Sequence, residues 1–267
     1  MATPFALTCG LSTSLAIACR NGIVTVRDGF IIAETPSNPS YYFGNFLAFE
    51  APPGARDIVR WPKLFARAFA HNPRVRHVAF AWSGEGGAAD RFADDGYTLQ
   101  EETVLEATHV RSAGSPDGID VRELQLEADW VALFHFELRQ REPQFEPAAY
   151  EQFMRRRVDR RRELCTEAAA AWCGAFYRTE LVGACGIVAA EPLARYQDVG
   201  VDERFRNRGI AKALLAYAAR IGFERFGAAR AIIVANSDRP ARALYERAGF
   251  NAVQREWSLW KAPQTNS

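Results

Sequence analysis

The sequence predicts a mixed α/β fold: a mostly antiparallel sheet with one parallel pair and helices on both faces. Three observations predict it. Residues 171–177, 181–189 and 194–201 are apolar, strand-like runs separated by short turns, the pattern of an antiparallel meander. Ile210, Ala213, Leu214, Tyr217, Ala218 and Ile221 then recur at helical spacing and give one continuous apolar face. A further apolar run at 231–235 follows, and a strand–helix–strand connection of this kind requires a parallel pair.

The seam of the chain is the Gly/Ser/Pro-rich stretch 111–118. It sets a first part, 1–110, against a second, 119–267. In the second part, 119–124 reads as a short strand. Leu126, Trp130, Leu133, Phe134 and Leu138 make the apolar stripe of a first helix. Pro147 can open a second helix running to about Leu164, because proline is tolerated in a first turn. After the meander, whose first turn is Arg178, Thr179 and Glu180, a helix starts near Gly209 and is ended by Gly227. A short helix over 240–248 stops at Gly249, and 250–260 supplies the last strand. The expected order is β-α-α-β-β-β-α-β-α-β.

Composition narrows the function classes. Of 267 residues, 48% are hydrophobic and 24% charged, as in an ordinary soluble domain. The 33 basic residues nearly balance the 32 acidic ones, so net charge says nothing about a nucleic-acid or membrane partner; neither is expected. Cys9, Cys19, Cys165, Cys173 and Cys185 form no CxxC pair, and no His set completes a metal site. Reduced thiols and a cytoplasmic location follow as expectations. Residues 1–19 carry no charge, but they lack a basic leader region, and Pro4, Thr8, Gly10, Ser12, Thr13 and Ser14 interrupt the apolar run.

The chemistry concentrates between Val199 and Lys212. A strand ends at Val199, Gly200 and Val201, a polar loop turns, and a helix starts at Gly209. Amides at a helix N-terminus have no intrahelical partner and carry the positive end of the dipole, which suits a diphosphate. Gly209 allows close approach, Ala211 keeps the first turn uncrowded, and Arg206, Arg208 and Lys212 add charge.

These residues carry a resemblance. Arg206, Asn207, Arg208, Gly209, Ile210 and Ala211 resemble the Q/R-x-x-G-x-G/A signature of the GNAT superfamily, the GCN5-related N-acetyltransferases. Val199, Gly200 and Val201 resemble that family's strand, which splays from its parallel neighbour and pairs with the pantetheine arm of coenzyme A. Ala241, Leu244, Tyr245, Gly249 and Phe250 resemble its A-x-x-L-Y-x-x-x-G-F segment. One slot departs: seven residues ahead of the tyrosine, where the family often has Asn, stands Asp238, with Asn236 two residues earlier.

The resemblance implies a GNAT fold with a splayed parallel pair and an acyl-CoA-dependent N-acyltransferase, by family default an N-acetyltransferase using acetyl-CoA. The acceptor would be a primary amine, on a small molecule or a peptide, attacking the thioester directly. Cofactor contacts would come from Val199, Gly200, Val201, Arg206 to Lys212, Asn236 and Tyr245. Tyr245 on its own reads as a core aromatic; at this motif position it would protonate the departing thiolate. A backbone N–H of the 199–201 strand can polarise the carbonyl. For the base, Glu137 lies on the first helix's inward stripe, where burial would raise its pKa, and Asp198 adjoins the pantetheine strand. Either can equally be an ion-pair partner, with water taking the proton. The alternative function is a non-catalytic acyl-CoA-binding sensor. A homodimer is left open.

Two further features need an account. The arginine-rich run 155–162 lies on a helix whose stripe is Tyr150, Phe153, Met154, Val158 and Leu164, which leaves the arginines on solvated flanks. The competing readings are a role in attracting an acidic acceptor or the CoA phosphates and, ranked last, an RNA-binding helix. In the first part, Phe92, Gly96 and Tyr97 followed by a strand at 101–107 echo Tyr245, Gly249 and Phe250 with the strand that follows them, as a duplicated fold would. A degenerate GNAT-like or accessory domain is expected there. The aromatic run Tyr41 to Phe46 reads as one of its core strands.

Overall fold

The structure is a computed structural model and describes residues 5–143, 145–237 and 241–263. Two compact units divide the chain, and they interleave. Unit 1 comprises Met1–Val104, Val234–Arg239 and Val253–Ser267; unit 2 comprises Leu105–Ile233 and Pro240–Ala252. The polar stretch 111–118 thus lies inside unit 2, and the boundaries fall within strands.

Unit 2 holds the expected meander. Strands β6 (Ile119–Glu123), β7 (Ala170–Tyr177), β8 (Glu180–Ala190) and β9 (Leu193–Val201) pair antiparallel in sequence order. Arg178 takes a left-handed φ of 57° so that two residues suffice to join β7 and β8. Helix α5 (Ile210–Arg220) crosses over to β10 (Arg230–Asn236), which runs parallel to β9. Past Arg220 the helix widens into a π-turn over Ile221–Arg225 before Gly227, at φ 63°, redirects the chain. Helix α5 covers one face of the sheet. A Cβ on Gly183 would sit 3.2 Å from Ile210 and Leu214, and the Tyr196 hydroxyl donates to the Leu215 carbonyl at 2.6 Å.

Helices α3 (Glu127–Arg139) and α4 (Pro147–Thr166) cover the other face. Asp129 in the first turn of α3 accepts from the Gln125 and Leu126 amides at 3.0 Å and from both terminal nitrogens of Arg122. The Arg122 hydrogen bonds, against the cost of burial, hold its carboxyl down at about 2. The stripe of α3 differs from expectation. Leu126 precedes the helix and is exposed, Phe134 and Leu138 are half-buried, and the buried face is Asp129, Trp130, Leu133 and Phe136. On α4 the buried positions are Met154, Val158, Arg161 and Leu164, so one arginine of the basic run lies in the stripe itself. Arg155, Arg157, Arg160 and Arg162 are each paired with a carboxylate.

Unit 1 is built on a similar plan. Strands β1 (Ile23–Arg27), β2 (Phe30–Glu34) and β3 (Phe46–Phe49) form an antiparallel meander whose first turn is Asp28-Gly29. Helix α2 (Asp57–Ala68) crosses to β4 (Val78–Trp82), parallel to β3. Strand β11 (Asn251–Lys261), through residues 257–261, pairs antiparallel with β4. Side chains alternate across this sheet. Phe46 and Ala48 meet Leu11, Leu15 and Ala18 of α1 (Cys9–Asn21), whereas Leu47 and Phe49 meet Trp61 and Phe65 of α2. Phe49 stacks on Trp61 at 3.8 Å, one contact in a cluster that includes Phe80, Phe92 and Tyr97. The N-terminus of α1 is held by Thr8, whose hydroxyl accepts from the Leu11 amide and donates to the Glu256 carboxylate on β11.

The run Tyr41 to Phe46 is not a strand until its last residue. Tyr42–Gly44 is a 3₁₀ turn. Buried Asn45 staples it, donating to the Asn38 and Tyr41 carbonyls and accepting from the Thr35 amide. Tyr42 stacks on His77 at 4.3 Å, and His77 is bonded to the Asn45 carbonyl. Burial pushes the His77 imidazole down to about 4, against its bonds to the Asn45 and Tyr42 backbone.

The echoed segments share a hydrogen-bond pattern. Helix α6 (Ala241–Ala248) ends with Gly249 N–H to Glu246 O and Phe250 N–H to Tyr245 O, with Gly249 at φ 108°. The short 3₁₀ helix Ala89–Phe92 leads to Gly96 N–H to Ala93 O and Tyr97 N–H to Phe92 O, with Gly96 at φ 77°. Aligning Phe92 with Tyr245 matches both bonds. The strand after the first segment is β5 (Thr98–Ala107), longer at its start than the 101–107 expected.

Candidate active site

The segment expected to cradle a diphosphate is a loop of two left-handed residues followed by a helix. Strand β9 ends at Val201, and buried Phe205 anchors the loop against Tyr177 at 5.4 Å. Asn207 takes φ 62° and Gly209 φ 82°. A Cβ at Gly209 would find only Pro116 at 3.7 Å, so backbone conformation, not internal space, requires glycine there. The first bond of α5 runs from Ala213 N–H to Gly209 O; the amides of Ile210, Ala211 and Lys212 precede it and have no acceptor within the helix. Ile210 is buried, whereas Arg206, Asn207, Arg208, Gly209 and Lys212 are exposed. Arg206 lies 3.1 Å from Glu203, an exposed pair that is weak in water.

Strands β9 and β10 pair only over Leu193–Arg195 and Arg230–Ile232, after which β9 runs on to Val201 paired with β8 but no longer with β10. A bulge follows. On β8, Ala184 faces Gly200 and Gly186 faces Gln197, so β9 inserts one residue opposite Cys185. Asp198 takes φ 51° there. The bulge reverses the alternation of faces. Tyr196 points towards α5, yet Asp198, two residues on, points towards α4, and a Cβ on Gly200 would sit 3.6 Å from the Phe136 ring of α3.

Both carboxylates read as candidate bases are engaged. Arg161 donates to Glu137 at 2.7 Å and to Asp198 at 2.6 Å. Arg157 donates to both oxygens of Asp198, at 2.7 and 2.9 Å. Burial disfavours the ionised Asp198, but the two guanidinium groups outweigh it and hold the carboxyl below its ordinary value. A carboxylate so held is a poor proton acceptor. The Arg161 side chain is 4% exposed and lies over the Trp172 ring at 5.1 Å. Sequence reasoning missed Arg157 and Arg161 as parts of this cluster. The signal was present: Met154, Val158, Arg161 and Cys165 are spaced i, i+4, i+7, i+11, and the arginine fills a core position.

Tyr245 on α6 is buried against Phe250, whose ring is 5.7 Å from that of Tyr196. Burial first, and nearby Cys185 second, push its phenol up to about 12, so it keeps its proton at neutral pH. Asn236 ends β10 and is counted with unit 1, and Asp238 lies outside the described residues. Among the described residues no cluster of His, Cys, Asp and Glu could hold a metal, and no helix is long and apolar enough to cross a membrane.

Comparisons with known proteins agree with this geometry. A sequence profile of the Acetyltransferase (GNAT) family matches residues 130–250. No curated protein matches the sequence. Among solved structures, a conserved protein of unknown function from Staphylococcus epidermidis is similar with a TM-score of 0.73 at 15% identity, over 91% of this chain and 95% of that one. A GCN5-related N-acetyltransferase from Kribbella flavida is similar with a TM-score of 0.68 at 15% identity, over 98% of both chains. A tandem GNAT protein from the clavulanic acid biosynthesis pathway is similar with a TM-score of 0.54 at 15% identity, over 80% of this chain and 72% of that one. At such identities the likeness is one of fold. With its cradle, splayed strand and profile match, the segment 130–250 belongs to the acetyltransferase (GNAT) family.

Proposed function

We propose that this chain is an N-acetyltransferase that moves the acetyl group of acetyl-CoA to a primary amine by direct attack. The observation that carries the reading is the pairing of an exposed helix N-terminus at Gly209 with a strand, β9, that leaves its parallel neighbour and bulges at Asp198. The amides of Ile210, Ala211 and Lys212 would hold the diphosphate, with Arg206, Arg208 and Lys212 adding charge. The free length of β9, Val199 to Val201, would pair with the pantetheine arm, and a bulge amide would polarise the thioester carbonyl.

In the reaction the amine lone pair attacks the carbonyl carbon, the C–S bond breaks, and the thiolate takes the Tyr245 proton. The amine proton passes to water, since Asp198 is held ionised by two arginines. Unit 1 is read as a second copy of the fold that does not bind the cofactor. The test is thiol release from acetyl-CoA across a panel of primary amines, small molecules and peptides, followed with a thiol-reactive dye. Turnover with at least one amine supports transfer. Saturable acetyl-CoA binding with no turnover on any amine would select the sensor reading instead.

A further inference from the structure

We infer that Arg157 and Arg161 are positioning residues that hold the β9 bulge through the Asp198 carboxylate and thereby aim the amide that polarises the thioester. The inference rests on the reading of β9 as the carbonyl-polarising strand. A non-glycine residue at φ 51° is in a sparsely populated conformation and persists only where its surroundings hold it. Here the holding groups are explicit. Asp198 receives two bonds from Arg157 and one from Arg161, all between 2.6 and 2.9 Å.

Arg161 is itself fixed from three sides. Its other terminal nitrogen is bonded to Glu137 on α3, its face lies over Trp172 on β7, and it is buried in the α4 stripe between Val158 and Leu164. Three elements thus fix Arg161, and Arg161 with Arg157 holds one side chain of the bulge. The groups facing Asp198 are Arg157 and Arg161 with Glu137 and Tyr150 close by, two cations against two carboxylates and a phenol. The cluster is charge-balanced, which suits an internal clamp better than a receptor for a charged acceptor.

The backbone gives the same account. Without the bulge Asp198 would share the Tyr196 face and point to α5; with it, the side chain turns to α4 and β9 inserts one residue opposite Cys185. Two arginines on the far side of the sheet from α5 are what this turned side chain meets.

The test uses the full chain and acetyl-CoA labelled with carbon-13 at the carbonyl, read by isotope-edited infrared spectroscopy, with CoA affinity measured in parallel. In the wild type the carbonyl band moves to lower frequency on binding. Asp198→Gly removes the clamp but takes the left-handed conformation without strain, so it tests the clamp with the backbone still able to fold. In Asp198→Gly and in Arg161→Met the band should return to its solution position, CoA affinity should stay within about threefold, and kcat should fall roughly tenfold to hundredfold. Arg161→Lys, which keeps a donor and the charge, should restore part of the shift. An unchanged shift in folded Asp198→Gly overturns the clamp while leaving the function intact. A wild type that binds acetyl-CoA with no band shift overturns the polarising strand and the clamp together.

Discussion

The two parallel strand pairs of this chain are alike in topology and opposite in their ends. In unit 1, β3 and β4 stay joined to the last residue. Phe49 faces Trp82, the Ser83 amide donates to the Phe49 carbonyl, and beyond them the Ala88 amide donates to Pro53. In unit 2, β9 leaves β10 after Arg195 and continues for six residues. The helices that follow differ in the same sense. At the start of α2 the Asp57 carboxylate accepts from the Gly54 amide at 2.8 Å and from Arg60 at 2.7 Å, so the helix supplies its own anion. At the start of α5 stand a glycine, two arginines and a lysine. On the proposed function, one fold plan would carry a cofactor slot or close it according to a few residues at the strand ends.

The largest effect should come from the helix starts. Gly209→Val places a β-branched residue at φ 82° and should lower acetyl-CoA affinity by more than about a hundredfold in calorimetry, whereas Gly54→Val should change it by less than about twofold. Equal effects would erase the contrast. Next, Tyr245→Phe should lower kcat roughly a hundredfold with KM for acetyl-CoA nearly unchanged. Full activity in that variant would leave the cradle standing and remove the acid.

Acid should separate the units. His77 is held neutral in the fold, with its imidazole down at about 4 from 6.5, so the unfolded chain binds more protons in that interval. Its contribution is complete above pH 6.5 and is lost as pH falls towards 4, on the order of 3 kcal/mol. Asp129 in unit 2 is lowered from 3.8 to about 2, so its contribution is complete above 3.8 and is lost only below that, on the order of 2 kcal/mol. Hydrogen exchange at pH 4.5 should therefore show β3 and β4 amides loosening before those of β6 and α3. His77→Phe should flatten the unit 1 response. The smallest effect is expected from Asp57→Asn, about 0.5 kcal/mol of stability and no second acetyl-CoA bound. A stoichiometry of two would mean that the closed strand end is not what excludes the cofactor.

Periodicity and turn residues made unit 2 legible in outline, because its meander and crossover helix carry long, uninterrupted apolar patterns. The helix start at Gly209 was legible for a local reason: a glycine between a polar run and an apolar helical stripe marks a helix entry. Three things were not legible, each for a physical cause. Arg161 was assigned to solvent because a polar residue in an apolar stripe reads as a flank, and its partners Glu137 and Asp198 lie 24 and 37 residues away. The bulge at Asp198 breaks strand alternation without a glycine to announce it. The turn over Tyr42–Gly44 is fixed by the Asn45 amide, a side-chain device invisible to periodicity.

The interleaving of the units bears on how the chain is made. When residues 1–104 have left the ribosome, β4 has β3 on one edge but still lacks β11 on the other, for Trp82 and Phe80 await Trp257 and Leu259 from far along the sequence. Nor does the Thr8 hydroxyl, which caps α1, have its own acceptor until Glu256 arrives. Contacts spanning some 175 to 250 residues close late and slowly. Until then unit 1 exposes an unpaired apolar strand edge to the cell, a nascent state suited to chaperone binding.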